Sequence, residues 1–241
     1  MRVPTKIGPA KGFLYDCESE PLFEKCVEGM EDCTCPEELG AELVFDHKVR
    51  RGYRLGDRLI KYYGAGHSRD LLRPAPALRA ANTYEELLPI RSPKPELAVE
   101  IRNGLKLQRS LIVCEFVEGP ILGDAWGSVP EAEATLGPFL AKMHDSNIYH
   151  GVMKFDHLIW NRGDWVVIDT ESLRHSLRKL RPRALAERQW ASLAMDLGAS
   201  ESLRAAFESY VEARGLRWNR AATWEKILDR SQAIIAGKAR R

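Results

Sequence analysis

An α/β chain of the α+β kind is predicted, with a strand-rich first lobe followed by a helical second lobe. Two observations predict it. Up to Phe116 the apolar residues fall in short runs separated by turn residues, whereas from Glu131 onward they recur at helical spacing. The 241 residues are 44% hydrophobic and 29% charged, enough to bury a sizeable core in an ordinary globular protein. Strands first and helices after imply two lobes with a cleft between them.

Taken in order, residues 1–38 read as an irregular, cysteine-bearing leader punctuated by Pro4, Pro9, Pro21 and Pro36. The first lobe is expected over residues 39–117. It opens with strands at Glu42–Val49, Tyr53–Leu55 and Arg58–Tyr63, the last two separated by the turn pair Gly56-Asp57. Residues 74–88 read as a helix started by proline, and Ser92-Pro93-Lys94-Pro95 forces an extended stretch. Strands at Leu97–Ile101 and Ser110–Phe116 follow, with Asn103-Gly104 as the turn. The second lobe, 118–241, begins with a helix over Glu131–Ser146, where Ala132, Leu136, Phe139, Leu140 and Met143 share one face. A loop over 147–156 leads to two short strands, Leu158–Asn161 and Trp165–Asp169, around Arg162-Gly163-Asp164. Three helices near 183–195, 200–214 and 221–236 complete the chain. The six tryptophans read as packing residues.

A net charge of +2 gives no argument for nucleic acid. The basic start, Met1 to Lys11, lacks the apolar stretch of a signal peptide, and no run of about 18 apolar residues occurs. A cytoplasmic setting is therefore expected. Four of the five cysteines, Cys17, Cys26, Cys33 and Cys35, crowd into the leader. Without a secretion signal they read as free thiols, and Cys33-Thr34-Cys35 departs from the usual zinc spacing.

The chemistry concentrates in two places. His150-Gly151-Val152-Met153-Lys154-Phe155-Asp156-His157 follows an amphipathic helix, and a hydrophobic strand, Val166-Val167-Ile168, then delivers Asp169. Such a strand holds a carboxylate rigidly enough to orient a hard cation. Upstream lie Leu59-Ile60-Lys61-Tyr62-Tyr63, Ile90-Arg91-Ser92-Pro93-Lys94-Pro95 and Val113-Cys114-Glu115-Phe116-Val117-Glu118-Gly119. Together with Ile148-Tyr149-His150-Gly151 and Ile168-Asp169-Thr170-Glu171-Ser172-Leu173-Arg174, these segments stand in the order of a protein kinase. In that order and spacing the chain resembles the lipopolysaccharide-core sugar kinases, which phosphorylate heptose or Kdo. The resemblance runs from about Tyr53 to Tyr210.

The resemblance implies a protein-kinase-like bilobal fold, ATP and Mg²⁺ as nucleotide and metal, and a core sugar or another anionic acceptor. By it, Lys61 pairs with nucleotide phosphates, the backbone of Glu115, Phe116 and Val117 receives adenine, and Asp169 with His157 binds metal. Asp156 and Lys154 are the catalytic candidates of the loop. Val152 stands where the family motif His-Gly-Asp has its catalytic aspartate, and valine accepts no proton. The only candidate for a glycine-rich turn is Lys48-Val49-Arg50-Arg51-Gly52. The lobe-helix glutamate that should hold Lys61 falls near Leu78 or Arg79, with Glu85 and Glu86 later. Three readings stay open: a sugar kinase, a pseudokinase serving as a nucleotide-binding or scaffolding module, and a kinase acting on protein or another small molecule. The basic stretch Arg174–Arg183 reads either as a solvated helix start or as a lip meeting anionic acceptors at the surface of the inner membrane.

Overall fold

The computed structural model describes residues 2–15, 20–47, 49–64, 74–86, 90–150, 153–175 and 182–239. They divide into two units, residues 1–86 with 93–117, and residues 87–92 with 118–241.

The first unit is built on one antiparallel sheet. Its elements are β1 (Val3–Ile7), β2 (Ala10–Leu14), α1 (Glu20–Glu28), β3 (Glu42–His47), β4 (Arg50–Leu55), β5 (Arg58–Tyr63), α2 (Pro76–Glu86), β6 (Pro95–Asn103) and β7 (Lys106–Glu115). The strand order is β1-β2-β6-β7-β5-β4-β3. Gly56 and Gly104 turn their hairpins at φ 60° and 58°, a region glycine adopts at no steric cost.

The leader is not irregular. Residues 3–14 form a hairpin whose β2 pairs with β6, Leu14 opposite Leu97. Gly12 is required there, because a Cβ would lie 1.9 Å from the Ala98 carbonyl oxygen. Helix α1 presents Phe23, Cys26 and Val27 to the core, and Met30, in the turn just beyond it, joins them. Their i, i+3, i+4, i+7 spacing is the signal that the prolines obscured. Cys26 and Cys35 are buried as small apolar residues, both free thiols. Burial pushes the Cys26 thiol up to about 12. Cys17 lies outside the described residues.

One face of the sheet packs Tyr53, Ile60, Tyr62, Leu97, Val99, Leu111 and Val113 against α1. The other packs Tyr63, Ala98, Ile112 and Cys114 against Ala77, Ala80 and Ala81 of α2. The alternation along β5 is thus Leu59, Lys61 and Tyr63 on the α2 face, Ile60 and Tyr62 on the α1 face.

The second unit holds α3 (Leu122–Ala125), α4 (Pro130–Asp145), β8 (Ile148–His150), β9 (Leu158–Asn161), β10 (Asp164–Val167), β11 (Leu173–His175), α5 (Pro182–Leu197), α6 (Glu201–Ala213) and α7 (Arg220–Ala239). The expected loop over 147–156 contains β8, which pairs with β11, Leu173 opposite His150. Strand β10 ends at Val167 rather than 169. Trp165, Trp190 and Trp224 are buried in the core of this unit, and Trp126, Trp160 and Trp218 pack against it. No helix among the described residues is long and apolar enough to cross a membrane.

Helices α4 and α6 meet at Gly137, where a Cβ would lie 2.2 Å from the Ala206 carbonyl oxygen and 2.9 Å from the Tyr210 nitrogen. Both are backbone atoms, so the helices themselves must part. Gly137→Ala is expected to destabilise the protein by about 1–3 kcal/mol, outweighing the gain of about 0.5–1 kcal/mol from helix propensity. Urea unfolding measures this; a stabilised variant would refute the tight crossing.

Candidate functional site

In the first unit Lys61 sits mid-strand on β5, paired with Gly52 on one side and Ile112 on the other. The α2 flank facing the sheet is alanine, and Glu85, near the last turn of α2, pairs with Arg2 at 3.3 Å. No carboxylate of α2 therefore joins this packed face among the described residues. Strand β7 ends at Glu115. The Glu115 amide donates to the Lys94 carbonyl at 2.9 Å and the Phe116 amide to the Asp57 carbonyl at 2.7 Å. Of the three amides expected to meet adenine, that of Val117 is the one without a partner among the described residues. An open cavity of about 420 Å³ at the tip of β3 and β4 is lined by Arg50, Arg51 and Arg109 and equally by Glu31, Asp32 and Asp46. It favours neither sign of charge.

In the second unit the structure brings two of the expected carboxylates, Asp156 and Asp169, toward one imidazole nitrogen of a third expected residue, His157. A single 3₁₀ turn, Phe155–His157, follows Lys154, and a second, Thr170–Ser172, follows Asp169. The Ile168 amide donates to the His157 carbonyl at 2.9 Å, tying the two segments together. The Asp156 carboxylate approaches His157 Nε2 to 3.5 Å and that of Asp169 to 3.8 Å. Asp156 is the more open of the two, 48% exposed against 19%. Lys154 is exposed, and its backbone amide donates to His157 Nδ1 at 3.3 Å.

That last bond decides the state of the ring. Nδ1 is an acceptor, so a neutral His157 carries its hydrogen on Nε2 and turns it toward the two carboxylates. Burial lowers the His157 pKa from its ordinary value, against the opposing pull of Asp169 and Asp156. The ring of His150 lies beside it, centroids 4.4 Å apart. Asp169 adopts a left-handed backbone, φ 60° and ψ 41°. Such conformations recur at functional sites, and aspartate tolerates them better than most residues.

Among the described residues no group of three or more His, Cys, Asp or Glu side chains is placed to hold a metal ion. The two carboxylates nevertheless suit Mg²⁺, which takes oxygen ligands and usually binds through one or two carboxylates plus substrate phosphates. Nε2 of His157 presents a hydrogen in this arrangement, so ligation through it requires the ring to shift that hydrogen. Val152, Lys48 and residues 176–181 of the basic stretch lie outside the described residues. Phe45, on the same sheet face as Lys61, was not singled out from the sequence, which contains only its alternation with neighbours, whereas Arg50 and Gly52, expected in a glycine-rich turn, lie in strand β4.

A seven-stranded antiparallel sheet followed by a helical unit, with an aspartate displayed after a short hairpin, gives a kinase-like bilobal fold. The solved structure described as WaaP in complex with acyl carrier protein shares this fold: TM-score 0.58, 15% identity, 91% of this chain and 97% of that one covered. WbdD, solved with the kinase inhibitor LY294002, aligns at 16% identity and TM-score 0.47, over 78% of this chain and 44% of that one. No family model and no curated protein sequence matches the chain.

Proposed function

We propose that the chain transfers the γ-phosphoryl group of ATP to a sugar hydroxyl of the lipopolysaccharide core or a related anionic acceptor. The observation that carries this reading is the approach of Asp156 and Asp169 to the same nitrogen of His157. It supplies, in one place, a carboxylate for a cation and a more open carboxylate for a proton. The acceptor oxygen attacks the γ-phosphorus, the bond to the bridging oxygen breaks, ADP leaves, and Asp156 takes the hydroxyl proton. Asp169 would hold Mg²⁺, which neutralises phosphate charge when bound, with His157 beside it at 3.8 Å. Lys61 serves the phosphates and Val117 the adenine edge.

A second reading is nucleotide binding or scaffolding without turnover, and Val152 favours it, since no proton acceptor stands at the motif position. Positioning and electrostatics carry much of phosphoryl transfer, so Asp156 remains sufficient for slow catalysis. Thermal-shift titration with ATP and Mg²⁺ separates these cases from a chain that binds no nucleotide. At 100 times Kd, linkage stabilises the protein by about 2.7 kcal/mol. Lys61→Ala is expected to lose most of that shift. Phosphate incorporation into purified core oligosaccharide then distinguishes kinase from binder; intact binding with no incorporation sinks the enzyme reading.

A further inference from the structure

We infer that the β3–β4 hairpin covers the nucleotide with side chains, Phe45 over the ribose and Arg50 on the terminal phosphates, in place of a glycine-rich loop. This rests on the nucleotide reading given above and assigns two residues to it. The first observation is the position of Phe45. It pairs with Gly52 beyond a register shift in β3, and Gly52 in turn pairs with Lys61. Cross-strand partners share a face, so Phe45, Gly52 and Lys61 lie on one side of the sheet. A Cβ on Gly52 would fall 2.2 Å from the Phe45 ring. The ring therefore lies over the Gly52 backbone, on the face that carries the lysine.

The second observation is the composition of the hairpin: no glycine stands between Phe45 and Gly52. A glycine-rich loop binds phosphates by bringing bare peptide N–H groups onto them. A hairpin without glycine between those residues does not supply that cradle, so the recognition passes to side chains.

The third observation is the order of groups along the strands. At the end where β7 stops, Arg54 lies over the Phe116 ring at 4.3 Å. Two residues along β4, about 7 Å further, comes Gly52 under Phe45, beside Lys61. Two residues beyond that comes Arg50, opposite Tyr63, with its guanidinium 5.8 Å from the Phe45 ring centroid. His47 lies 5.8 Å from the same ring. A nucleotide anchored by its base at residues 115–117 meets these groups in sequence: an aromatic surface at the ribose, then the lysine, then a guanidinium. Arginine binds phosphate through paired N–H donors, which suits the terminal phosphates.

Isothermal titration of the full chain with ATP, ADP and AMP, each with Mg²⁺, tests this. Arg50→Met keeps the apolar stem and removes the charge. It is expected to weaken ATP about tenfold or more and AMP less than about twofold. Phe45→Leu keeps the edge strand apolar, and it is expected to weaken all three nucleotides by a similar factor. Circular dichroism and melting of both variants should match wild type. Equal weakening of ATP and AMP in Arg50→Met, or unchanged binding in both variants, overturns the assignment while leaving nucleotide binding intact. Wild-type protein that binds no nucleotide overturns the functional reading itself, and this assignment with it.

Discussion

Asp169→Asn is expected to abolish the Mg²⁺-dependent part of ATP affinity and to lower any phosphoryl transfer at least about 10²-fold, the scale seen when one preorganised electrostatic group is removed. The substitution is chosen for its backbone. Asp169 sits at φ 60° and ψ 41°, a left-handed conformation that asparagine also visits readily, whereas alanine would pay about 1–2 kcal/mol there. The turn Thr170–Ser172 and the bond from the Ser172 amide to the Asp169 carbonyl, 3.0 Å, should therefore survive. What is removed is one negative charge, 3.8 Å from His157 Nε2. Affinity measured with and without Mg²⁺ gives the answer. Full retention of the metal-dependent gain would remove Asp169 from the nucleotide site, whatever the fold.

Acid is expected to weaken the protein through His144. The ring is buried at the end of α4, its Nδ1 2.8 Å from the Tyr210 hydroxyl and its Nε2 3.1 Å from Gln189 Oε1. Arg214 donates to the same Tyr210 hydroxyl at 2.7 Å, so that hydroxyl passes its own hydrogen to Nδ1 and the ring donates from Nε2. Every polar atom of the ring is satisfied in the neutral state alone. Burial accordingly lowers the His144 pKa from 6.5 to about 4, with Gln189 opposing. The unfolded chain takes up the proton near pH 6.5 and the folded chain near 4, so the unfolded state binds more protons between them. The contribution is complete above pH 6.5 and declines as pH falls toward 4, by about 3 kcal/mol in all. Urea unfolding at pH 7 and pH 4.5 reads it directly. His144→Gln, which can accept from Tyr210 and donate to Gln189, should flatten the pH dependence by about that amount. An unchanged slope in the variant would assign the acid sensitivity elsewhere.

Much of the architecture was legible because its signals are local. The Gly56-Asp57 and Asn103-Gly104 pairs, the alternation through Arg58–Tyr63 and the helical period from Ala132 to Met143 each depend on neighbours a few residues apart. Residues 3–14 were missed for the opposite reason. Val3, Thr5 and Ile7 alternate, but prolines at 4 and 9 argue against a strand, and only pairing with β6, more than eighty residues away, makes that edge profitable. Helix α1 was obscured in a similar way. Pro21 reads as punctuation of an irregular leader, although Cys26 sits in register with Phe23, Val27 and Met30 and is simply apolar core.

The site divides along the same line. Lys61, Asp156, His157 and Asp169 could be singled out from motif order, yet nothing in the spacing of residues 156 and 169 says that their carboxylates face one imidazole. That depends on the β9–β10 hairpin folding back and on the amide of Ile168 reaching the His157 carbonyl. Phe45 and Gly52 are ordinary strand residues until the register shift in β3 lays one on the other. By itself the sequence determined the kinds of element, their order and the residue types available for phosphate chemistry, since these follow from local backbone preference and hydrophobic period. Only the tertiary structure decided the sheet order, the docking of β1, β2 and α1, the hydrogen on His157 and the convergence of Asp156 with Asp169. Each of these is set by contacts between residues distant in the chain, which leave no periodic trace in it.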